Sequence, residues 1–181
     1  MLSHPASRRY AKALFDSAQE KKCLDEVYQD LQNLLSSYRS VDLLRDLFLE
    51  PEIVMIRKEE IMDSIFAKKI HPLTHRFLNL LNQKNRLPLW EEICEHFRKL
   101  YLEYKEILEV ELISATTLSE MEIEKIKEML GAKFRKDIQL QSQVDQSLLG
   151  GFKIKLTDTI YDLSLQGQLE RFKNLVMEKS M

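Results

Sequence analysis

Glycine is scarce in this chain, with four in 181 residues, and cysteine is scarcer, with two. A phosphate-cradling loop needs several glycines and a Lys-Ser/Thr pair at a helix start, and no segment supplies both. Cys23 and Cys94 lie far apart and neither sits in a CxxC, so a disulfide framework is not expected; free thiols in a reducing compartment are. The formal net charge is −2 and the pI about 6.1. That leaves no excess positive charge to grip nucleic acid. The basic pairs Arg8-Arg9, Lys21-Lys22, Lys68-Lys69 and Arg135-Lys136 are scattered among acids and read as solvated helix surface. No apolar run approaches the ~18 residues of a membrane span. The opening "MLSHPASRRYAKALF" has no apolar stretch of the signal-peptide kind, so the chain is expected to act in the compartment that makes it. The lack of a transit-peptide pattern favours a bacterial or organelle-encoded source.

What is present is a hydrophobic fraction of 44% and a charged fraction of 31%, enough for a packed core and a wet surface. The length suggests one domain or two small ones. The first hundred residues carry helical spacing throughout. Ser7 is expected to cap a helix whose apolar face holds Tyr10, Leu14, Phe15 and Ala18. Val27, Tyr28, Leu31, Leu34, Leu35 and Tyr38 mark a second helix; Leu43, Leu44, Leu47 and Phe48 mark a short third, ended by Pro51. Ile61, Met62 and Ile65 carry a fourth. Pro72 opens a fifth with Phe77, Leu80 and Leu81, and Pro88 opens a sixth with Trp90, Ile93, Cys94, Phe97, Leu100, Tyr101 and Tyr104. Six short helices with brief connections predict a compact bundle.

The period changes near residue 107. "ILEVELIS" alternates Leu108, Val110 and Leu112 against Glu109 and Glu111, as a half-buried strand does. Ser119 and Glu122 form a capping-box pattern for a helix with Ile123, Ile126, Met129 and Leu130, which Gly131 is expected to end. "IQLQSQV" alternates again. Phe152, Ile154 and Leu156 alternate with Lys153, Lys155 and Thr157; "TDT" reads as a turn, "IYDL" as a short strand, and Leu165, Leu169, Phe172 and Val176 as a last helix. The expected fold is α+β overall and mostly α: an N-terminal six-helix bundle, residues 1–105, then a small C-terminal α+β domain, residues 106–181, with no flexible linker and no internal repeat.

No constellation for chemistry emerges. "HPLTH" spaces His71 and His75 as zinc ligands can be spaced, but Pro72 makes His71 a cap or loop residue and no third ligand lies near. Cys94 and His96 point to different helix faces. No GxSxG occurs, and nothing nominates an acid/base pair. Catalytic, metal and cofactor-binding residues are accordingly not assigned, and a binding or scaffolding role is expected.

Three segments resemble one family. "RRYAKALFDSA" at 8–18 resembles the opening helix of the delta subunit of F-type ATP synthases. "LLNQKNRLPLWEEICEHFRKLY" at 80–101 is similar to that family's "L-x-x-N-x-R-L-x-x-L" region and the long helix after it. "VELISATTLSE", "VDQSLLGGFKIKL" and "IYDLSLQGQLERF" resemble its C-terminal signature, in order. The mitochondrial member is the oligomycin-sensitivity-conferring protein. The resemblance spans about residues 7–176. It implies a non-catalytic stator subunit with no cofactor, joining the catalytic head to the peripheral stalk and resisting torque during proton-coupled ATP synthesis. The implied partners are the N-terminal helix of an alpha subunit, the C-terminal helices of the b subunits and other ATP synthase subunits. The implied place is peripheral, on the cytoplasmic side of a bacterial inner membrane. A helical adaptor unrelated to ATP synthase is the competing reading.

On this resemblance, the alpha-subunit helix would lie against the first and fifth helices. Tyr10, Ala11, Leu14, Phe15, Phe77, Leu78 and Leu81 are the candidate groove residues. Each could instead fill the bundle core, since bundle helices need an inner face with or without a partner. The structural signature comprises Asp145, Gly150, Gly151, Phe152, Asp158, Asp162 and Gly167. The sequence departs from the family where Thr157 precedes Asp158, where the run is Asp162-Leu163-Ser164, and where Gln166-Gly167-Gln168-Leu169 has lost basic charge. The pair Gly150-Gly151 stands between two alternating stretches. It is read as a backbone requirement where two strands cross, with Leu148, Leu149 and Phe152 packing beside it.

Overall fold

The computed structural model describes residues 4–50, 53–66, 69–156 and 159–178. Helices come first: α1 (Pro5–Glu20), α2 (Leu24–Ser40), α3 (Asp42–Leu49), α4 (Met55–Phe66), α5 (Pro72–Gln83) and α6 (Trp90–Tyr104), the last entered through a 3-10 turn at Leu87–Leu89. Then follow β1 (Ile107–Ser114), α7 (Glu120–Phe134), β2 (Asp137–Val144), β3 (Phe152–Lys155), β4 (Ile160–Asp162) and α8 (Leu165–Glu178). The fold is mostly helical with a small mixed sheet toward the C-terminus, an α+β arrangement. The chain divides into two compact units, residues 1–102 and 103–181.

In the first unit the apolar stripes read from the sequence converge on one core. Ala11, Leu14, Phe15 and Ala18 of α1 join Val27, Leu31, Leu34, Leu35 and Tyr38 of α2, together with Trp90, Ile93, Cys94 and Phe97 of α6. Edge-on aromatic contacts fix its centre, Phe48 to Trp90 at 5.8 Å and Phe15 to Phe97 at 5.9 Å. Leu43, Ile65 and Leu80 were expected on these inner faces but stand out into solvent. Helical spacing defines a stripe, and residues at its margin face outward when the neighbouring helix stops short of them. Pro51 lies outside the described residues.

Local chemistry sets the helix starts. His4 caps α1, its Nδ1 accepting from Ala6 N at 3.1 Å, with Pro5 at the first helical position. Ser7, the expected cap, is instead buried inside the first turn, where its hydroxyl donates to the His4 carbonyl. Proline tolerates the first helical position because it has no N–H to lose, so the helix begins before Ser7. The same device recurs at α5, where His71 Nδ1 accepts from Leu73 N at 3.1 Å ahead of Pro72. Pro88 does not open α6; it lies in the 3-10 turn, and α6 starts at Trp90.

The sheet of the second unit has the order β2-β1-β3-β4. β1 runs parallel to β2, pairing Ile107 with Asp137 through Ser114 with Val144, and antiparallel to β3. The connection from β1 to β2 is α7, as a parallel pair requires a crossover. Val110, Leu112, Ile154 and Leu130 form the buried core, with Leu108, Ile126, Ile138, Leu140 and Phe152 packed around it. The capping box of α7 is made: Ser119 Oγ accepts from Glu122 N, and Ser119 N donates to Glu122 Oε2 at 2.9 Å. Gly131 does not end α7. The helix continues to Phe134 and closes at Arg135, whose φ of 55° lets its N–H reach the Gly131 carbonyl at 2.8 Å. The left-handed residue falls where the chain must turn into β2, and an arginine bears the modest strain there. Leu156 lies just past β3, and Leu163 just past β4.

Candidate functional site

Two places collect the residues that the sequence singled out. The first is the junction of α1 and α5. The ring of Tyr10 meets that of Phe77 edge-on at 6.4 Å. Ala11, Leu14, Phe15, Phe77, Leu78 and Leu81 are all buried in the first core, and only Tyr10 is half-buried. Tyr10 and Phe77 bring α1 and α5 together, and the others fill the common core of the unit. Among apolar residues at this junction, Tyr10 and Leu80, the latter one turn beyond Phe77, retain surface that a further helix could cover.

A cleft that sequence reasoning did not find lies between α2, α3 and α4 and has a volume of about 840 Å³. Leu34, Leu44, Ile61, Ile65 and Phe66 line it, with Asp46 and Lys69 among its few charges. Val41 and Leu43 are exposed at its wall, Leu43 at 81%. The only signal for it in the sequence is that α3 carries more leucine than an eight-residue helix can bury.

The second place is a node in the second unit. Gly151 has φ 77°, and a Cβ there would stand 2.6 Å from the Leu163 carbonyl oxygen and 3.0 Å from Ser164 Cα. Backbone therefore passes directly over backbone, which only glycine permits. Leu165 N donates to the Gly150 carbonyl and Leu163 N to that of Phe152, each at 3.0 Å. Asp162 organises the same spot. Its Oδ1 accepts from Ser164 N at 2.9 Å and from Ser164 Oγ at 2.5 Å, and Lys153 Nζ sits 3.3 Å from its Oδ2. Ser164 Oγ in turn accepts from Gly167 N at 3.1 Å, which caps α8. A Cβ on Gly167 would come within 2.7 Å of the Asp162 carboxylate. Asp145 turns the chain out of β2 by accepting from Ser147 N at 2.9 Å.

Gly150, Gly151, Phe152, Asp162 and Gly167 thus meet at one point, with Asp145 heading the loop that leads to it; Asp158 lies outside the described residues. Leu148 is buried beside the pair and Phe152 half-buried, but Leu149 is 75% exposed and does not pack there. Successive residues in an extended turn point to opposite sides, so Leu148 and Leu149 cannot both face inward.

The electrostatics are those of caps. The Ser164 hydroxyl, then its N–H, hold the Asp162 carboxyl below the ordinary carboxylate range. Ser147 does the same for Asp145, and Ser119 for Glu122. In the first unit the N–H of His4 and the Ser7 hydroxyl lower Glu92. Burial pushes the Cys94 thiol up, which makes it a poor nucleophile. His75 meets Asp63 at 2.8 Å on the surface, and His71 is occupied as a helix cap. Among the described residues no group of three His, Cys, Asp or Glu side chains is placed to hold a metal, and no helix is long and apolar enough to cross a membrane. The arrangement offers surfaces and joints.

Comparison with known proteins is consistent with that reading. Residues 6–176 match the family described as ATP synthase delta (OSCP) subunit. An ATP synthase subunit delta of Symbiobacterium thermophilum is 34% identical over 94% of this chain and 92% of its own length. One from Syntrophomonas wolfei is also 34% identical, over 96% of this chain and 95% of its own length. A chain of the Toxoplasma gondii mitochondrial ATP synthase hexamer superposes with a TM-score of 0.77 at 20% identity, over 96% of this chain and 98% of that one. At that identity the superposition speaks for the fold alone.

Proposed function

The chain belongs to the ATP synthase delta (OSCP) subunit family, a structural and non-catalytic part of ATP synthase, and from that premise we propose how its two units divide the work of a stator. The first unit acts as a six-helix bundle, with its boundary near residue 105, and receives the N-terminal helix of an alpha subunit against α1 and α5. The second, residues 106–181, meets the C-terminal helices of the b subunits through surfaces that the Gly151–Asp162 node holds in shape. The protein works peripherally, on the cytoplasmic side of a bacterial inner membrane. The observation that carries this is the reach of the family match, which takes in both units from residue 6 to 176. A stator joint under torque needs slow dissociation, which buried apolar anchors supply and rim charges do not.

The burial of six candidate groove residues refines the test. Ala11 and Leu78 have no exposed surface, so Ala11→Trp or Leu78→Asp would report stability before binding. Leu80→Lys alters only the accessible rim, whereas Tyr10→Ser also gives up the edge-on contact with Phe77. A labelled peptide of the alpha-subunit N-terminal helix should bind both variants about tenfold more weakly, the loss expected when an interface anchor is truncated, with the unfolding midpoint unmoved for Leu80→Lys. The cleft between α2, α3 and α4 supports a second reading, in which that helix seats there. If Leu43→Lys weakens the peptide and Tyr10→Ser does not, the cleft is the site; if neither matters, the first unit does not receive the helix.

A further inference from the structure

We propose that the free edge of β2 is a docking strand, onto which an extended, uncharged segment of a stalk partner pairs through main-chain hydrogen bonds; this rests on the stator reading above. The two edges of the sheet are built differently. β4 is three residues long and ends on Asp162, whose carboxylate is held by Ser164 and Lys153. β2 is eight residues long, and it pairs with β1 residue for residue without a bulge. From Ile138 to Val144 it carries no charge and no proline. Short length, lysine, proline and bulges are the usual means of keeping an edge from recruiting another strand, and β2 has none of them. Residues 141–144 are all exposed, and among the described residues β2 pairs only with β1.

The hydrogen-bond phase identifies which groups wait there. Asp137 N donates to the Glu106 carbonyl and Asp145 N to that of Ser114. In a parallel pair every second residue bonds the neighbour, so the odd-numbered residues of β2 face β1. The N–H and C=O groups of Ile138, Leu140, Ser142 and Val144 therefore point away from it. The side chains show the same design. On one face of the sheet Lys155 of β3 reaches Glu111 of β1 at 2.9 Å, and Glu111 is in register with Gln141 of β2. Charge on the inner strands stops at the edge, where Gln139 and Gln141 stand beside Glu109 and Glu111 and Gln143 beside Ile113. A charged residue there would impose its sign on an incoming strand; a glutamine amide can both donate and accept. The complement is an uncharged, polar or β-branched extended segment, bound by strand addition.

The test compares backbone amide exchange in the free chain and in purified ATP synthase carrying it. The amides of Ile138, Leu140, Ser142 and Val144 should exchange fast in the free chain and be protected in the complex. Ser142→Pro removes one outward N–H and leaves the β1 ladder bonds in place, since proline is tolerated at an edge position facing solvent. It should lower retention of the chain on the complex by roughly five- to tenfold, the worth of one net hydrogen bond or slightly more. Should Ser142→Pro disturb the β1 amides as well, the triple change of Gln139, Gln141 and Gln143 to Lys blocks the edge without touching the backbone and should have the same effect. Unprotected edge amides in a complex that retains the chain would overturn the docking strand and leave the stator role standing. Absence of the chain from the complex would overturn both.

Discussion

The two units are held together by different means. The first buries a large, continuous set of side chains from α1 to α6, including Phe15, Tyr38, Phe48, Trp90 and Phe97 in edge-on or tilted pairs. The second fully buries four hydrophobic residues in its core, Val110, Leu112, Leu130 and Ile154. It makes up the difference with geometry: a capping box, two aspartates that accept from the serines after them, and a glycine that lets one strand exit pass over another. A helical unit can spread its stability over many interchangeable methyl groups. A small sheet depends on a few atoms placed within tenths of an ångström. Sequence change in the first unit is therefore tolerated wherever volume is kept, and in the second wherever the turns are kept.

That contrast can be broken by experiment. Trp90, the only tryptophan, is fully buried in the first unit, so its fluorescence follows that unit alone, while far-ultraviolet circular dichroism follows both. Leu78→Ala should lower the stability of the first unit by about 2–5 kcal/mol, the range for a buried leucine, and shift the fluorescence transition to lower urea. Gly151→Val should cost the second unit about 3 kcal/mol, because a β-branched residue must take a positive φ and stand against the Leu163 carbonyl. Its signature is a separate early transition in circular dichroism with the tryptophan transition unmoved. If both probes shift together, the units are one cooperative block and the contrast fails. Ser164→Ala should cost about 1 kcal/mol, the usual worth of a helix cap, again in the second unit only.

The smallest effect is that of acid. Asp162, Asp145 and Glu122 are held below their ordinary values in the folded state, so each contributes stability above its unfolded pKa and loses it as pH falls through the folded one. In the first unit Glu92 behaves the same way, with fewer companions. Below about pH 4, the ordinary carboxylate value, the second unit should weaken before the first, as the two probes would separate. Equal weakening would mean the caps are not what holds the sheet.

Much of this was legible in the sequence, because periodicity is a direct record of burial. The order of helices and strands, the capping box at Ser119 and Glu122, and the reading of Gly150-Gly151 as a backbone requirement all follow from local pattern. What was not legible depends on what covers a face. A stripe containing Tyr10, Leu14 and Phe15 looks the same whether a neighbouring helix or a partner lies on it. Only the packing of Tyr10 against Phe77 of α5 and of Phe15 against Phe97 of α6 shows that neighbouring helices cover it. The cleft beside α3 was invisible for the converse reason, since nothing local records that a leucine such as Leu43 has no neighbour. Helix ends went astray where two residues could serve. His4 took the cap from Ser7 because Pro5 already fixed the first turn. Arg135 took the turn from Gly131 because the crossover into β2 is required there and not four residues earlier.

The central position of β1 has a consequence for the order in which the protein comes into being. Ile107 pairs with Asp137 and Glu111 with Lys155, so when β1 leaves the ribosome neither of its neighbours has been made. The helices ahead of it also close long stretches of chain, Phe15 meeting Phe97 and Tyr28 meeting Tyr101, but every one of those partners has been made before β1 emerges. The strand that will be innermost must wait with both edges open through the synthesis of α7, and with one edge open until β3 follows the loop to Gly151. Synthesis itself thus sorts the chain into an early unit and a late one, and places the time of greatest exposure on Ile107–Ser114.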